Sequence, residues 1–366
     1  MDATASSLKS AYPWIEFPLV IGAPMFPMAC PALAVAVSKA GGLGFISGGL
    51  DAASLEKSLR ETAELVDQVR PPMAFEIDTL PIGVGFLLFG NKLSDILPLI
   101  KKHVPAAVWL FAPHQVADYV PWTKALRETT HGRTKIWFQV GSPADALEVA
   151  KTCEPDALVI QGTDAGGHGL QRSAGLISLF PEIGDGLKAE GLVHVPLFAA
   201  GGVVEGRGFL AALALGAAGV AMGTRFLAAE EALIPKGYQD AVVGIKSGST
   251  ETVRTGLFDT LRGPNTWPKG YDGRGIINES SVDAESGMHL DENRRLHTEA
   301  TEGRLSQYPE SGQMSKRTGR VTMWAGSGVG LVKEVLPAAK IVDQTRREVC
   351  EVLGRIGSSM HSRYNR

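Results

Sequence analysis

Short apolar runs that each stop at a glycine recur along this chain, and their repetition limits the fold more than any other feature. Ala157-Leu158-Val159-Ile160 leads into Gln161-Gly162-Thr163-Asp164-Ala165-Gly166-Gly167-His168-Gly169, Val195 to Ala200 runs into Gly201-Gly202-Val203, and Gly219 to Met222 runs into Gly223-Thr224-Arg225. Runs this short have the length of a buried strand, and the glycine that follows opens backbone angles closed to other residues, so each reads as a strand entering a tight turn. The same rhythm fills the rest of the chain. Leu19–Ala23, Leu43–Ser47, Ile82–Leu88, Ala106–Phe111, Lys135–Val140, Ala157–Gln161, Pro196–Ala200 and Gly219–Met222 read as eight strands. Between them, Pro31–Ala40, Ala53–Val69 and a segment opening at Ser142-Pro143-Ala144-Asp145 carry helical pattern. Eight strands alternating with helices predict an α/β fold of the closed (β/α)₈ TIM barrel type. An open doubly wound sheet is the alternative, disfavoured by the count and the even spacing.

After Phe226 the rhythm breaks. Residues from Ala229 to about Met323 turn polar and irregular, and apolar pattern returns at Ser327–Val342 and again at Gln344–Ile356. So long a stretch without structure does not suit a compact domain. The expectation is therefore a barrel formed by residues 1–227 and 326–366, with an inserted subdomain, 228–325, covering the barrel mouth. Trp267, Tyr271 and Trp324 can wall a ligand site from above or pack on the barrel rim, and packing is the favoured reading.

Of 366 residues, 44% are hydrophobic and 20% charged, and the net charge is -3, so no basic excess exists to attract nucleic acid or an acidic membrane. Cys30, Cys153 and Cys350 are too few and too scattered for a disulfide framework or a CxxC pair. Leu19 to Val37 is uncharged and long enough to span a bilayer, yet Pro24, Pro27 and Pro31 interrupt it as a strand, a turn and a helix start would. Met1 to Ser10 lacks a secretory pattern and the final residues lack a peroxisomal one, so a cytoplasmic location is expected.

In such barrels chemistry sits at the carboxyl ends of the strands. There, His168 offers the side chain best suited to proton transfer near neutral pH. Gly201, Gly202, Gly223 and Thr224 occupy the two last strand ends, the common phosphate position, where backbone amides stabilise an anion. Ala23, Pro24 and Met25 close the first strand with an apolar surface on which a flat ring can rest. Gln139 can both donate and accept hydrogen bonds toward a heterocycle. Barrel filling is an equal reading for Met25 and Gln139. His103, His114, His131 and His194 lack partners at metal spacing, so no metal site is expected.

These pieces resemble the nitronate monooxygenases, and in particular their fungal branch. The resemblance runs through Ala23-Pro24-Met25, Ser38 to Phe45, Ile82-Gly83-Val84-Gly85, Ala107 to Phe111, Phe138-Gln139-Val140-Gly141, Gln161 to His168, Ala199 to Val203, Met222 to Phe226 and Tyr271-Asp272-Gly273-Arg274. It implies non-covalent FMN and oxidation of alkyl nitronates by O₂ to carbonyl compounds and nitrite, without reduced nicotinamide, and leaves open whether neutral nitroalkanes are turned over as well. By the same resemblance His168 is the catalytic residue. Ala23, Pro24, Met25, Gln139, Gly167, Gly175, Gly201, Gly202, Met222, Gly223 and Thr224 surround the cofactor. Gly85 departs from the bacterial branch, where Asn is common, so a side-chain contact to FMN must be replaced by a neighbour. A related FMN barrel reductase of the enoyl-acyl-carrier-protein type, using NAD(P)H, and an FMN- or phosphate-binding barrel without turnover are the alternatives. Assembly into a homo-oligomer is left open.

Overall fold

A computed structural model describes residues 3–69, 78–309 and 318–364. Eight parallel strands form a closed barrel, each hydrogen-bonded to the next and the last to the first. They are β1 (Leu19–Gly22), β2 (Leu43–Ser47), β3 (Leu80–Leu87), β4 (Pro105–Phe111), β5 (Lys135–Val140), β6 (Ala157–Gln161), β8 (Leu197–Ala200) and β9 (Gly219–Met222). Closure is made by β1 and β9, in register from Leu19↔Gly219 to Gly22↔Met222. The expected (β/α)₈ barrel is therefore present, with β2, β5, β6 and β9 bounded as the apolar runs imply.

The two faces of each strand serve different packing. Leu19, Ile21, Phe45, Ala107, Trp109, Trp137, Val159, Phe198 and Ala221 fill one cluster, the barrel interior, whereas Val20, Val84, Val108, Leu110, Phe138, Leu158, Ile160, Val220 and Met222 pack in another with the surrounding helices. Alternation of inward and outward side chains along a strand produces this division. Inside, Trp137 stacks on Phe198 at a centroid distance of 4.6 Å, and Phe45 meets Trp109 edge-on at 5.2 Å. So much aromatic volume requires absence elsewhere. A methyl group at Gly83 would lie 2.1 Å from the Phe45 ring. Residues preceding β1 plug the amino-terminal end: Leu8, Tyr12, Trp14 and Ile15 belong to the interior cluster, and Trp137 Nε1 donates to Tyr12 Oη at 2.8 Å.

The final helix, Ala338–Tyr364, is continuous where two separate apolar stretches were read, because nothing at Asp343 interrupts it. Its buried Arg346 donates to the carbonyls of Glu16, Pro18, Ala40 and Gly41 at 2.6–3.1 Å, tying the chain's last element to its first strands.

The described residues of the polar stretch after β9 form regular elements. Within it, β10 (Thr252–Thr255) and β11 (Tyr271–Ile276) pair antiparallel, and β11 pairs in turn with β7 (Gly167–Leu170), which follows the barrel strand β6. His168 therefore stands on a strand of this small second sheet, opposite Gly273, and not simply on a loop at the end of β6. Among the described residues no helix is long and apolar enough to cross a membrane.

Gly83→Ala should cost about 1–3 kcal/mol through overpacking against Phe45. Urea unfolding monitored by tryptophan fluorescence measures the loss.

Candidate active site

The inward face of the barrel continues past its apolar filling into the polar groups of the mouth. Two residues beyond inward Trp137 stands Gln139; two beyond Val159, Gln161; two beyond Ile21, Ala23; two beyond Ala221, Gly223. The parity of strands thus brings these four to one rim. Met222 falls on the other parity. Its side chain is fully buried between barrel and helices, and its carbonyl accepts from Ala23 N at 3.1 Å, so the mouth is closed to the side chain.

Three glycine turns meet on one side of the rim. Gly201 and Gly202 have φ of +105° and +77°, and a methyl group at Gly201 would lie 2.9 Å from Gly162 O and 3.0 Å from Ala165 N, so the turns after β8 and β6 touch backbone to backbone. Only glycine allows such an approach. Met25 Sδ would lie 3.3 Å from a methyl group at Gly223, placing the methionine against the turn after β9. Thr224 Oγ1 accepts from Gly326 N at 2.9 Å, while Ser327 uses its Oγ on Asp164 Oδ1 at 2.7 Å and its amide on Asp164 O at 3.0 Å. Gly326 and Ser327, which sequence reasoning did not single out, therefore stitch the turns after β6 and β9 together. Gly175 borders the same place, with Asp164 Oδ2 3.6 Å from where a methyl group would be. Clustered small residues and main-chain amides of this kind suit an anion. Asp164 opposes one by its charge. A cation that feels this charge is Arg274, whose Nε donates to Thr163 O at 3.2 Å, and whose guanidinium is held below the usual arginine range by burial and by Arg254.

Pro24 and Gly85 fill each other's space. A methyl group at Gly85 would lie 2.3 Å from Pro24 Cβ, so a larger residue cannot stand at this position unless the proline moves. Gln139 is constrained differently: Trp109 Nε1 donates to its Oε1 at 3.1 Å, which fixes the amide and leaves a buried Nε2 with no hydrogen-bond partner. It lines a cavity together with Phe111, Tyr119, Gln161, Leu170 and Tyr271.

His168 has partners that the sequence did not reveal. Its Nε2 lies 2.8 Å and 3.0 Å from the two carboxylate oxygens of Asp259, a residue of the short helix Leu257–Leu261, and the two side chains are only 8% and 5% exposed. Trp267 stacks on the imidazole with centroids 3.6 Å apart and planes 10° from parallel, and Trp324 approaches at 4.7 Å. Phe111 and Tyr271 extend the aromatic wall. Packing, the favoured reading for these residues, is what the rings show: Trp267 and Trp324 lie against the imidazole, and Tyr271 packs on Trp267 and on Phe111 at the end of β4. Gln161 Nε2 donates to His168 O at 3.2 Å, joining the second sheet to the barrel rim.

Barrels of this class act through the loops at the carboxyl ends of their strands, and that is the end at which the histidine, the glutamines and the glycine turns converge. The family described as nitronate monooxygenase matches residues 6–81 and 120–348. A nitronate monooxygenase, npaC, from Metarhizium robertsii is 45% identical over 351 residues, covering 95% of each chain. The nitronate monooxygenase of Neurospora crassa is 36% identical over 97% of this chain and 95% of its own. Among solved structures, FabK from Thermotoga maritima superposes with a TM-score of 0.71 at 25% identity, covering 96% of this chain and 98% of its own. A nitroalkane oxidase from Streptomyces ansochromogenes shares the fold, with a TM-score of 0.67 at 22% identity over 96% of this chain and 99% of its own. The chain belongs to the nitronate monooxygenase family and is an oxidoreductase.

Gly273→Ala tests the packing around His168. A methyl group there would lie 2.3 Å from the Trp324 ring, which cannot yield without leaving the imidazole. The expected result is a loss of about 1–3 kcal/mol, with a change in the near-ultraviolet circular dichroism of the tryptophans.

Proposed function

We propose that this chain holds FMN non-covalently in the barrel mouth and oxidises alkyl nitronates, with O₂ as co-substrate, to carbonyl compounds and nitrite. Gln139 carries the reading. A buried amide donor with its own oxygen already engaged requires an acceptor, and the pyrimidine edge of a flavin presents acceptors of that kind. The glycine turns at Gly201, Gly202, Gly223 and Thr224 are the chemistry a flavin phosphate needs, and Ala23, Pro24 and Met25 offer the ring an apolar seat. Gly167 and Gly175 leave main chain open beside it, and Met222 contributes backbone alone. With Gly85 unable to carry a longer side chain beside Pro24, the Gln139 amide takes over the contact that Asn supplies in the bacterial branch. Residues 228–325 act as the subdomain covering this mouth. The two fungal relatives, both called nitronate monooxygenases, agree with the proposed substrate class.

Bound there, the flavin supplies the electron-accepting chemistry and its reoxidation by O₂. The protein's own share is position, exclusion of water and the handling of one proton. A neutral nitroalkane reacts only after its α-proton has gone to the His168 imidazole; an anionic nitronate needs a hydrogen bond alone. The aromatic wall of Phe111, Trp267, Tyr271 and Trp324 keeps the reacting carbon dry.

An absorbance spectrum of the purified protein, followed by nitronate-dependent O₂ uptake, tests the proposal directly. A protein unable to take up FMN ends it. NADPH oxidation with an enoyl thioester, in place of nitronate oxidation, would favour the reductase alternative. A yellow protein inert to every nitronate would be a flavin-binding barrel without turnover. His168→Asn should lower kcat/KM for a neutral nitroalkane on the order of 100-fold and that for the preformed nitronate much less, compared in O₂-uptake assays. Gly202→Ala forces φ of +77° on a residue with a side chain, a strain of roughly 1–2 kcal/mol. Flavin retention, followed by the fluorescence of released FMN, should weaken about tenfold.

A further inference from the structure

Asp259 is a buried carboxylate whose only side-chain partner among the described residues is His168. Burying a carboxylate is costly unless its charge is compensated, and two apolar residues would pack the same volume at less expense. The pair is therefore unlike the ion pairs elsewhere on the molecule, most of which are solvated, such as Arg60–Glu64. Both Asp259 oxygens face one ring nitrogen, Nε2, and Nδ1 has no hydrogen-bond partner among the described residues.

We propose that Asp259 is a positioning residue that keeps the proton of His168 on Nε2, so that Nδ1 is the nitrogen that takes the α-proton of a neutral nitroalkane. An ionised carboxylate can only accept hydrogen bonds, so it selects the tautomer with Nε2–H and leaves the lone pair on Nδ1. In the step itself the substrate Cα–H bond breaks, its proton forms an N–H bond at Nδ1, and its electron pair moves into the nitro group to give the nitronate. The imidazole thereby becomes an imidazolium, and two neighbours stabilise that charge: the Asp259 carboxylate at Nε2 and the face of Trp267, stacked at 3.6 Å. The residue that sets the tautomer comes from beyond the barrel, 91 residues further along the chain. The base is complete only when the second sheet and the helix Leu257–Leu261 have folded over the mouth.

The substrate rests on the function proposed above; the tautomer does not. Nitrogen-15 spectra of the purified protein with labelled histidines, with His168 identified by its absence from His168→Asn, report which ring nitrogen carries the proton. Wild-type protein should show Nε2 protonated and Nδ1 bare. Asp259→Asn, whose amide can donate as well as accept, should redistribute the proton between the two nitrogens. The same variant should lose on the order of 100-fold in kcat/KM for a neutral nitroalkane, with a much smaller loss for the preformed nitronate. Nδ1 protonated in the wild-type protein overturns the proposal, whether or not any variant folds and whether or not any nitronate is oxidised. Equal losses for the two substrates in a folded Asp259→Asn overturn it as well, because a merely structural role would weaken both alike.

Discussion

Hydrogen bonding between β1 and β9 is the contact on which the rest of the molecule depends. Once the first and last barrel strands are in register, every strand end on one side points into the same opening, and turns far apart in sequence become neighbours. Ala23 then lies beside Met222, Met25 lies against Gly223, and Gly201 meets the turn that precedes His168. An open sheet built from the same strands would scatter these groups along an edge. Interior packing enforces the closure, because Trp109, Trp137, Phe45 and Phe198 can bury their rings only within a complete ring of strands.

A second sheet completes what the barrel begins. The strand carrying His168 leaves the barrel to pair with β11, and this places the imidazole between the rim and the aromatic residues of the later chain. The mouth is thus built from two layers. The barrel holds the glycine turns and the rim glutamines, and the chain beyond β9 supplies the carboxylate and the tryptophans in contact with the histidine.

Much of the barrel was legible in the residues because its strands are uniformly apolar and their turns rich in glycine. The rims of β2, β5, β6 and β9 coincide with the apolar runs, while β3 begins earlier, at Leu80, where a proline obscured the pattern. The same alternation carried one unread signal: Met222 is out of phase with Ala221 and Gly223, so its outward direction was there to be found. Strands β7, β10 and β11 escaped notice because glycine, arginine and aspartate interrupt the hydrophobic alternation that marks a strand. Asp259 escaped for a different reason. Nothing in Leu257-Phe258-Asp259-Thr260-Leu261 distinguishes it from any short amphipathic helix, and its partner is adjacent only after folding. The orphaned Gln139 amide likewise arises from a hydrogen bond with Trp109 across neighbouring strands.

The plug formed by Leu8, Tyr12, Trp14 and Ile15 has a bearing on traffic. With one end stoppered and its axis filled by rings, the barrel offers a guest only the rim at the carboxyl ends of its strands. That rim is where the imidazole and the tryptophans packed on it stand.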